Sequence, residues 1–354
     1  MTPLEQILKS QIATQGPMSV AEYMSTCLLH PEHGYYSTRD PFGTGGDFIT
    51  APEISQMFGE LIGLTLAQVW MDQGQPARIA LAELGPGRGT LMADILRTAK
   101  AVPSFEQACE IHLIEASPKL REVQAATLSA HTSIWHDHVD QLPSDLPLYA
   151  IANEFFDALP IRQMVRDGEG WRERQIGLDN DALAFGLSAP APLTALDHRL
   201  NDTKDGDLVE LCAQAPLIMR ALAERIETNG GTALVFDYGD WRSLGDTLQA
   251  VHAHEKVPAL HKPGQSDLTS HVDFEVLITD MPCTHSRLTP QGVFLERLGI
   301  TDRAQALAKS LGGTALEHHI AAHRRLTHPD EMGTIFKALA FFPKGTHPPA
   351  GYEV

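Results

Sequence analysis

The sequence predicts an α/β protein built on a Rossmann-like, mostly parallel sheet of about seven strands. A helical layer at residues 1–75 precedes a core at 76–354, and a β-hairpin is inserted into that core at about 161–205. Three observations carry this reading. From residue 78 short apolar runs alternate with helix-period segments, the rhythm of parallel strands joined by crossover helices. Three glycines, Gly85, Gly87 and Gly89, stand where the first run meets the first such helix. The 354 residues, 43% hydrophobic and 20% charged, describe a packed chain and not a disordered one.

Each element follows from its own pattern. Pro3 to Gln15 and Ser19 to Leu29 carry apolar residues at helical spacing, and Ser19 suits the cap of the second. In the run HPEHGYYSTRDPFGTGGDFITAPEIS, residues 30–55, Gly34, Gly43, Gly45 and Gly46 preclude a long regular element. Ser55 to Met71 resumes a helix apolar on most faces, which marks it as buried. Strands are expected at Arg78 to Leu84, Ile111 to Glu115, Ser133 to His136 and Leu148 to Asn153, with helices at Thr90 to Ala101 and Pro118 to Leu128 between them. Beyond the hairpin, a helix at Val209 to Thr228 leads to a strand at Thr232 to Asp237. A helix at His271 to Thr279, a strand near Thr284 to Leu288, helices at Gln291 to Leu298, Asp302 to Leu311 and Ala315 to Leu326, and a strand at Thr334 to Phe342 complete the expectation.

Composition excludes several classes. A net charge of −18 argues against a protein that tracks nucleic-acid phosphates, which needs clustered Lys and Arg. Cys27, Cys109, Cys212 and Cys283 are scattered and form no C-x-x-C pair, so neither a disulfide framework nor a structural zinc site is expected. No run approaches a membrane span, and Leu61 to Trp70 is interrupted by Gly63, Thr65 and Gln68. The start, MTPLEQILKSQI, has neither a secretory apolar core nor an Arg-rich transit character, so the expectation is a cytoplasmic protein without membrane insertion.

The glycine turn carries the chemistry. Three glycines between a strand and a helix let the backbone approach a ligand at a helix N-terminus, and Glu115 at the end of the next strand can accept both hydroxyls of a ribose. A dinucleotide would bring a pyrophosphate, favour G-x-G-x-x-G and shun carboxylates. Here the spacing is G-x-G-x-G, with Glu83 two residues before the first glycine, where a carboxylate can hold an ammonium. This favours S-adenosylmethionine over a nicotinamide or flavin dinucleotide, and a tight turn without a ligand is the remaining alternative. Asp137, after the third strand, stands where it can accept from an adenine amino group; a solvated loop is the plain reading of the same position.

The fourth strand runs into Asn153-Glu154-Phe155-Phe156-Asp157, which faces the same cleft because ligands sit at the carboxyl ends of strands in open α/β sheets. Helix capping by Asn153 or Asp157 is one reading of these polar groups. A pair of carboxylates, Glu154 and Asp157, that fixes the plane of a guanidinium is another, and Asn153 binding an amide or exocyclic amine is a third. Seventeen histidines raise the question of a metal, but His319 and His323 lack the cysteines or clustered acids of a ligand set, and none is expected. His271 and Asp273 are further candidates because they follow the fifth strand.

The chain resembles the MidA family of methyltransferases, whose mitochondrial member is a protein arginine methyltransferase and assembly factor of respiratory complex I. The resemblance rests on HPEHGYYS (30–37), GDFITAPEISQMFGELIG (46–63), ELGPGRGTLMADILR (83–97), IEASPKLREVQ (114–124), NEFFDALP (153–160), VFDYG (235–239), SDLTSHVDF (266–274) and MGTIFKAL (332–339). It implies a class I methyltransferase fold and S-adenosylmethionine binding by Gly85, Pro86, Gly87, Gly89 and Thr90, with Glu115 on the ribose. It also implies that Thr50, Ala51 and Pro52 line the cleft from the N-terminal layer. The acceptor it implies is an arginine of a complex I 49-kDa-type subunit, symmetrically dimethylated during assembly, in the cytoplasm of a bacterium or the matrix of a mitochondrion. A homodimer is compatible with the sequence. Two rival functions keep the fold class: a non-catalytic assembly chaperone and a nicotinamide-dependent oxidoreductase.

Overall fold

The computed structural model describes residues 1–38 and 50–354. Gly43, Gly45, Gly46 and the first four residues of the 46–63 motif lie outside the described residues. The main sheet contains β1 (Ile79–Leu84), β2 (Cys109–Ile114), β3 (Ser133–His136), β4 (Leu148–Asn153), β5 (Gly231–Asp240), β6 (Thr284–His285) and β7 (Phe336–Phe342). Their order across the sheet is β3-β2-β1-β4-β5-β7-β6. Pairings from β3 through β5 are parallel, whereas β7 runs antiparallel to both β5 and β6. The order reverses between β1 and β4, so the crevice beyond their carboxyl ends is the natural place for a ligand. Both strands are buried along their whole length, which is why they read as continuous apolar runs and not as alternation.

Helices α1 (Pro3–Gln15) and α2 (Val20–Leu29) pack away from the main sheet, whereas α3 (Gln56–Asp72), α4 (Thr90–Ala99), α5 (Pro118–Thr127) and α6 (Ala215–Asn229) flank it. Ser19 closes a capping box with Glu22 at the start of α2. Gly59 and Gly63 let α3 lie close on α4, since a Cβ at Gly59 would stand 2.5 Å from Asp94 Cβ. The segment before residue 75 is shared between two cores. Leu4, Leu8, Tyr23 and Met24 of α1 and α2 pack with Ile161, Ile176, Ala250 and Leu268, while α3 joins the main cluster beside Leu91, Ile95, Ile151 and Phe236.

The structure corrects four expected elements. Val209 does not open a helix: Leu208–Leu211 is a strand pairing with Arg162–Val165, and Pro216 sets the later start of α6. The insertion is larger than a hairpin, adding Arg162–Asp167, Gly170–Asp179, Ala182–Leu187 and a 3₁₀ segment, Thr194–Asn201. The helix expected at His271 to Thr279 begins only at Phe274, because Asp273 accepts from the Val276 N–H while Val272–Asp273 pairs with the end of β5. The strand near 284–288 splits into β6 and Thr289–Pro290, with the Ser286 hydroxyl taking the Ala340 N–H between them. Two short helices, Tyr35–Thr38 and Ala51–Ile54, flank the glycine-rich stretch. No described helix is long and apolar enough to cross a membrane.

Candidate active site

β1 ends in a turn where Gly85, Gly87 and Gly89 have φ of 60°, 52° and 80°. Only glycine takes this left-handed backbone without strain. The Gly85 N–H donates to the Ile114 carbonyl at 2.9 Å, and a Cβ at Gly85 would meet Phe155 Cδ2 at 2.9 Å. Gly85 and Gly87 line a cavity of about 540 Å³. Gly89 and Pro86 stand off its wall: the Gly89 N–H closes on the Pro86 carbonyl at 2.7 Å, and Gly89 begins α4. Thr90 also lies off the wall, its hydroxyl donating to Glu53 and so joining Ala51–Ile54 to α4. Glu83 is buried beneath the loop with Oε2 lacking a partner among the described residues, and burial pushes its carboxyl up to about 8.

At the end of β2 the Glu115 carboxylate lines the cavity and is held by the Ser117 N–H at 2.8 Å and Gln124 Nε2 at 3.0 Å. The same Gln124 nitrogen donates to the Gly87 carbonyl at 2.8 Å, and its oxygen accepts from Trp135 Nε1 at 2.8 Å. One buried amide thus ties the glycine turn to the acid. Asp137 also lines the cavity, but its Oδ1 already accepts from Arg121 at 2.6 Å.

β4 delivers Asn153, Glu154 and Asp157. Glu154 has φ +51°, and Oε1 accepts from the Ala51 N–H at 3.1 Å and from Asn153 Nδ2 at 3.3 Å. The turn is braced from β5, where Asp237 Oδ2 accepts the N–H groups of Phe155, Phe156 and Asp157 at 3.2, 2.9 and 3.3 Å. Glu154 and Asp157 line the cavity, whereas Asn153 is buried behind them with Oδ1 unpartnered among the described residues. Burial and the charge of Asp157 raise the Glu154 carboxyl to about 7, and burial raises Asp157 to about 6 against a hydrogen bond from Tyr238. Of the N-terminal layer, Thr50 lines the cavity; Ala51 and Pro52 are buried behind it, Ala51 acting through its N–H.

Sequence reasoning assigned no site role to Tyr36, Tyr238, Asp267 or Thr269, yet all four line the acidic end. Their signal was present in three segments, HPEHGYYS, VFDYG and SDLTSHVDF, none of which has a chemical pattern of its own. His271 and Asp273 lie outside this cavity: the His271 ring stacks edge-on against Tyr238 at 5.4 Å, and Asp273 accepts from the Ser243 and Val276 N–H groups. His319 is bonded to the Ala304 carbonyl and His323 to Thr301.

The walls fit S-adenosylmethionine. The cavity has the volume of a small-molecule site, a side-chain-free glycine wall and Glu115 beside it; Glu83, expected to meet an ammonium, is buried and does not line it. An ammonium and a sulfonium suit such acid surroundings better than a pyrophosphate does.

Residues 61–293 match the sequence profile of a family described as S-adenosyl-L-methionine-dependent methyltransferases. The chain is 37% identical to the mitochondrial protein arginine methyltransferase NDUFAF7 of Xenopus laevis, over 94% of this chain and 83% of the relative. Identity to the human protein of the same name is 36%, over 97% of this chain and 84% of the relative. A solved structure from Burkholderia thailandensis, bound to S-adenosyl-homocysteine, superposes with a TM-score of 0.83 at 27% identity, covering 98% of this chain and 93% of the other.

Proposed function

From the premise that this chain belongs to the S-adenosyl-L-methionine-dependent methyltransferase family, the same family its motifs resemble, we propose that its acceptor is a protein arginine. The observation that carries this is the acidic end of the cavity. Glu154, Asp157 and Asp267 line it, and no lysine or arginine does among the described residues. A guanidinium keeps its charge at any working pH and presents planar N–H groups that carboxylates can fix. The names of the curated relatives support the same acceptor.

The bound donor supplies an electrophilic methyl group on a sulfonium. The chain's own part is alignment and charge. In this reading Gly85 and Gly87 form the donor's wall, Glu115 accepts from its ribose, and Asp137 faces its adenine. Glu154 and Asp157 orient the guanidinium and draw its positive charge away from the nitrogen to be methylated. That nitrogen loses one proton as it gains the methyl group, and Asp157 Oδ1, unpartnered among the described residues, is the acceptor we assign. The Glu154 carboxylate keeps its orientation through Ala51 and Asn153.

The acceptor we assign more narrowly is an arginine of the 49-kDa-type subunit of respiratory complex I, dimethylated symmetrically during assembly. The compartment is then the bacterial cytoplasm, or the matrix for mitochondrial relatives. The test uses methyl-labelled S-adenosylmethionine, the purified protein and an extract of cells lacking its gene. Acid hydrolysis is expected to yield labelled methylarginine from protein, concentrated in that subunit. Glu154→Gln is expected to remove at least ~99% of this label while S-adenosyl-homocysteine affinity by calorimetry stays within about threefold. Label recovered in lysine, or only in small molecules, would overturn the arginine assignment; full transfer by the variant would overturn the role of Glu154.

A further inference from the structure

The turn that carries Glu154 and Asp157 follows an uncommon backbone course, and the side chain that holds it there belongs to the neighbouring strand. Asn153 stands opposite Phe236 in the β4–β5 pairing, and the Glu154 N–H extends that ladder to the Phe236 carbonyl at 2.9 Å. At Glu154 the chain then enters the left-handed region, φ +51°, which a residue with a Cβ adopts only at a cost. The next three N–H groups, those of Phe155, Phe156 and Asp157, converge on one oxygen, Asp237 Oδ2, at 3.2, 2.9 and 3.3 Å. Successive N–H groups in a turn form a concave nest for an anion, and here the chain fills the nest with its own carboxyl.

Asp237 is fully buried and does not line the cavity. Its other oxygen, Oδ1, accepts from the Tyr238 N–H at 3.0 Å, so four backbone donors fix this one side chain. A buried N–H without an acceptor is costly, and a turn deprived of Oδ2 must rearrange to find others. Burial, followed by the charges of Asp157 and Glu154, raises the Asp237 carboxyl, and an oxygen of the group accepts in either protonation state.

We propose that Asp237 is a positioning residue for methyl transfer: by accepting these three N–H groups it holds Glu154 in the left-handed backbone from which its carboxylate meets the acceptor. The proposal rests on the reading of Glu154 and Asp157 given above and names what keeps them in place. Side chains that align an acceptor work only while their backbone holds still, since a misplacement of about 1 Å can cost on the order of a hundredfold in rate. The hydrogen bonds of the donor's wall do not pass through Asp237. Gly85 is tied to Ile114, Gly87 to Gln124, and Glu115 to Ser117 and Gln124. Loss of Asp237 therefore acts first on transfer and far less on donor binding.

The experiment uses the full chain, saturating methyl-labelled S-adenosylmethionine and the extract of cells lacking its gene. It counts all label transferred to protein, whichever residue receives it. Asp237→Asn keeps the volume and one accepting oxygen, but its amide NH2 must face either the nest or the Tyr238 N–H. Its initial rate is expected to fall about tenfold, with S-adenosyl-homocysteine affinity by calorimetry within about threefold. Asp237→Leu offers no acceptor and is expected to lose about a hundredfold; should it fail to fold, Asp237→Asn decides alone. A rate within about threefold of the unaltered protein in either folded variant would overturn the proposal, and so would a fall in donor affinity that matches the fall in rate. Label found in lysine, with the rate loss intact, would overturn the arginine reading and leave Asp237 its role. No transfer by the unaltered protein would overturn the reading of the acidic end and this proposal with it.

Discussion

A methyl group added at Gly85 would meet two obstacles, a left-handed φ of 60° and the Phe155 ring 2.9 Å away. The backbone alone costs about 1–2 kcal/mol. Gly85→Ala is therefore expected to leave a folded protein with at least about tenfold weaker S-adenosyl-homocysteine binding by calorimetry, since the ring must move into the cavity. Affinity within a factor of two of the unaltered chain would show that this turn is not the donor's wall. Such glycines are legible in sequence because their spacing is itself the signal. Glu154 and Asp157 are legible for a related reason: charged residues at the end of an apolar strand pose a burial problem that asks for an explanation. Tyr36 and Asp267 pose none. They are separated by 231 positions, and their meaning arises only when folding brings a phenol onto a carboxylate.

Among the elements, α5 shows how a helix can act on the site without entering it. Gln124 is fully buried and holds the Gly87 carbonyl, the Glu115 carboxylate and the Trp135 N–H at once. Gln124→Met preserves most of the volume and strands three polar groups. The expected result is a stability loss of about 1–3 kcal/mol in urea denaturation and a donor affinity lower by about tenfold. Unchanged affinity would place the Glu115–Gly87 brace outside the binding mechanism. The sequence pattern predicts α5 well because Ser117 and Pro118 mark its start. The same logic misled at Leu208–Leu211, where an apolar run lies next to a true helix. Pro216, inside the expected helix, stands in the first turn of α6 and is the start signal that places the run before it outside the helix. Three-stranded pairing among Gln249–His252, Glu255–Val257 and Asp267–Thr269 was also missed, since strands this short carry too few alternations to read.

For the whole molecule, buried acids set a pH dependence. Glu154 is raised to about 7 and Glu83 to about 8, above the ordinary carboxylate value they have when unfolded. Between pH 7 and 9 the folded state therefore holds more protons than the unfolded one, and stability falls as pH rises. His112, lowered to about 4, works in the opposite direction only below about 6.5, outside this window. The Tm of the ligand-free protein is expected to drop between pH 7 and 9, and Glu154→Gln should flatten part of that slope. A Tm that rises over the window would contradict the burial of both acids. The strand order of the sheet lay beyond the sequence pattern, which records the alternation of elements but not which strands become neighbours. That order has a consequence for biosynthesis. β5 presents Asp237 and Tyr238, and its far side is covered by β7. A ribosome completes β5 long before it reaches residue 336, so in the interval the growing chain exposes an unpaired edge at the centre of its future sheet. The strand that carries the brace beneath Glu154 gains its partner on that side only once residues 336–342 have been made.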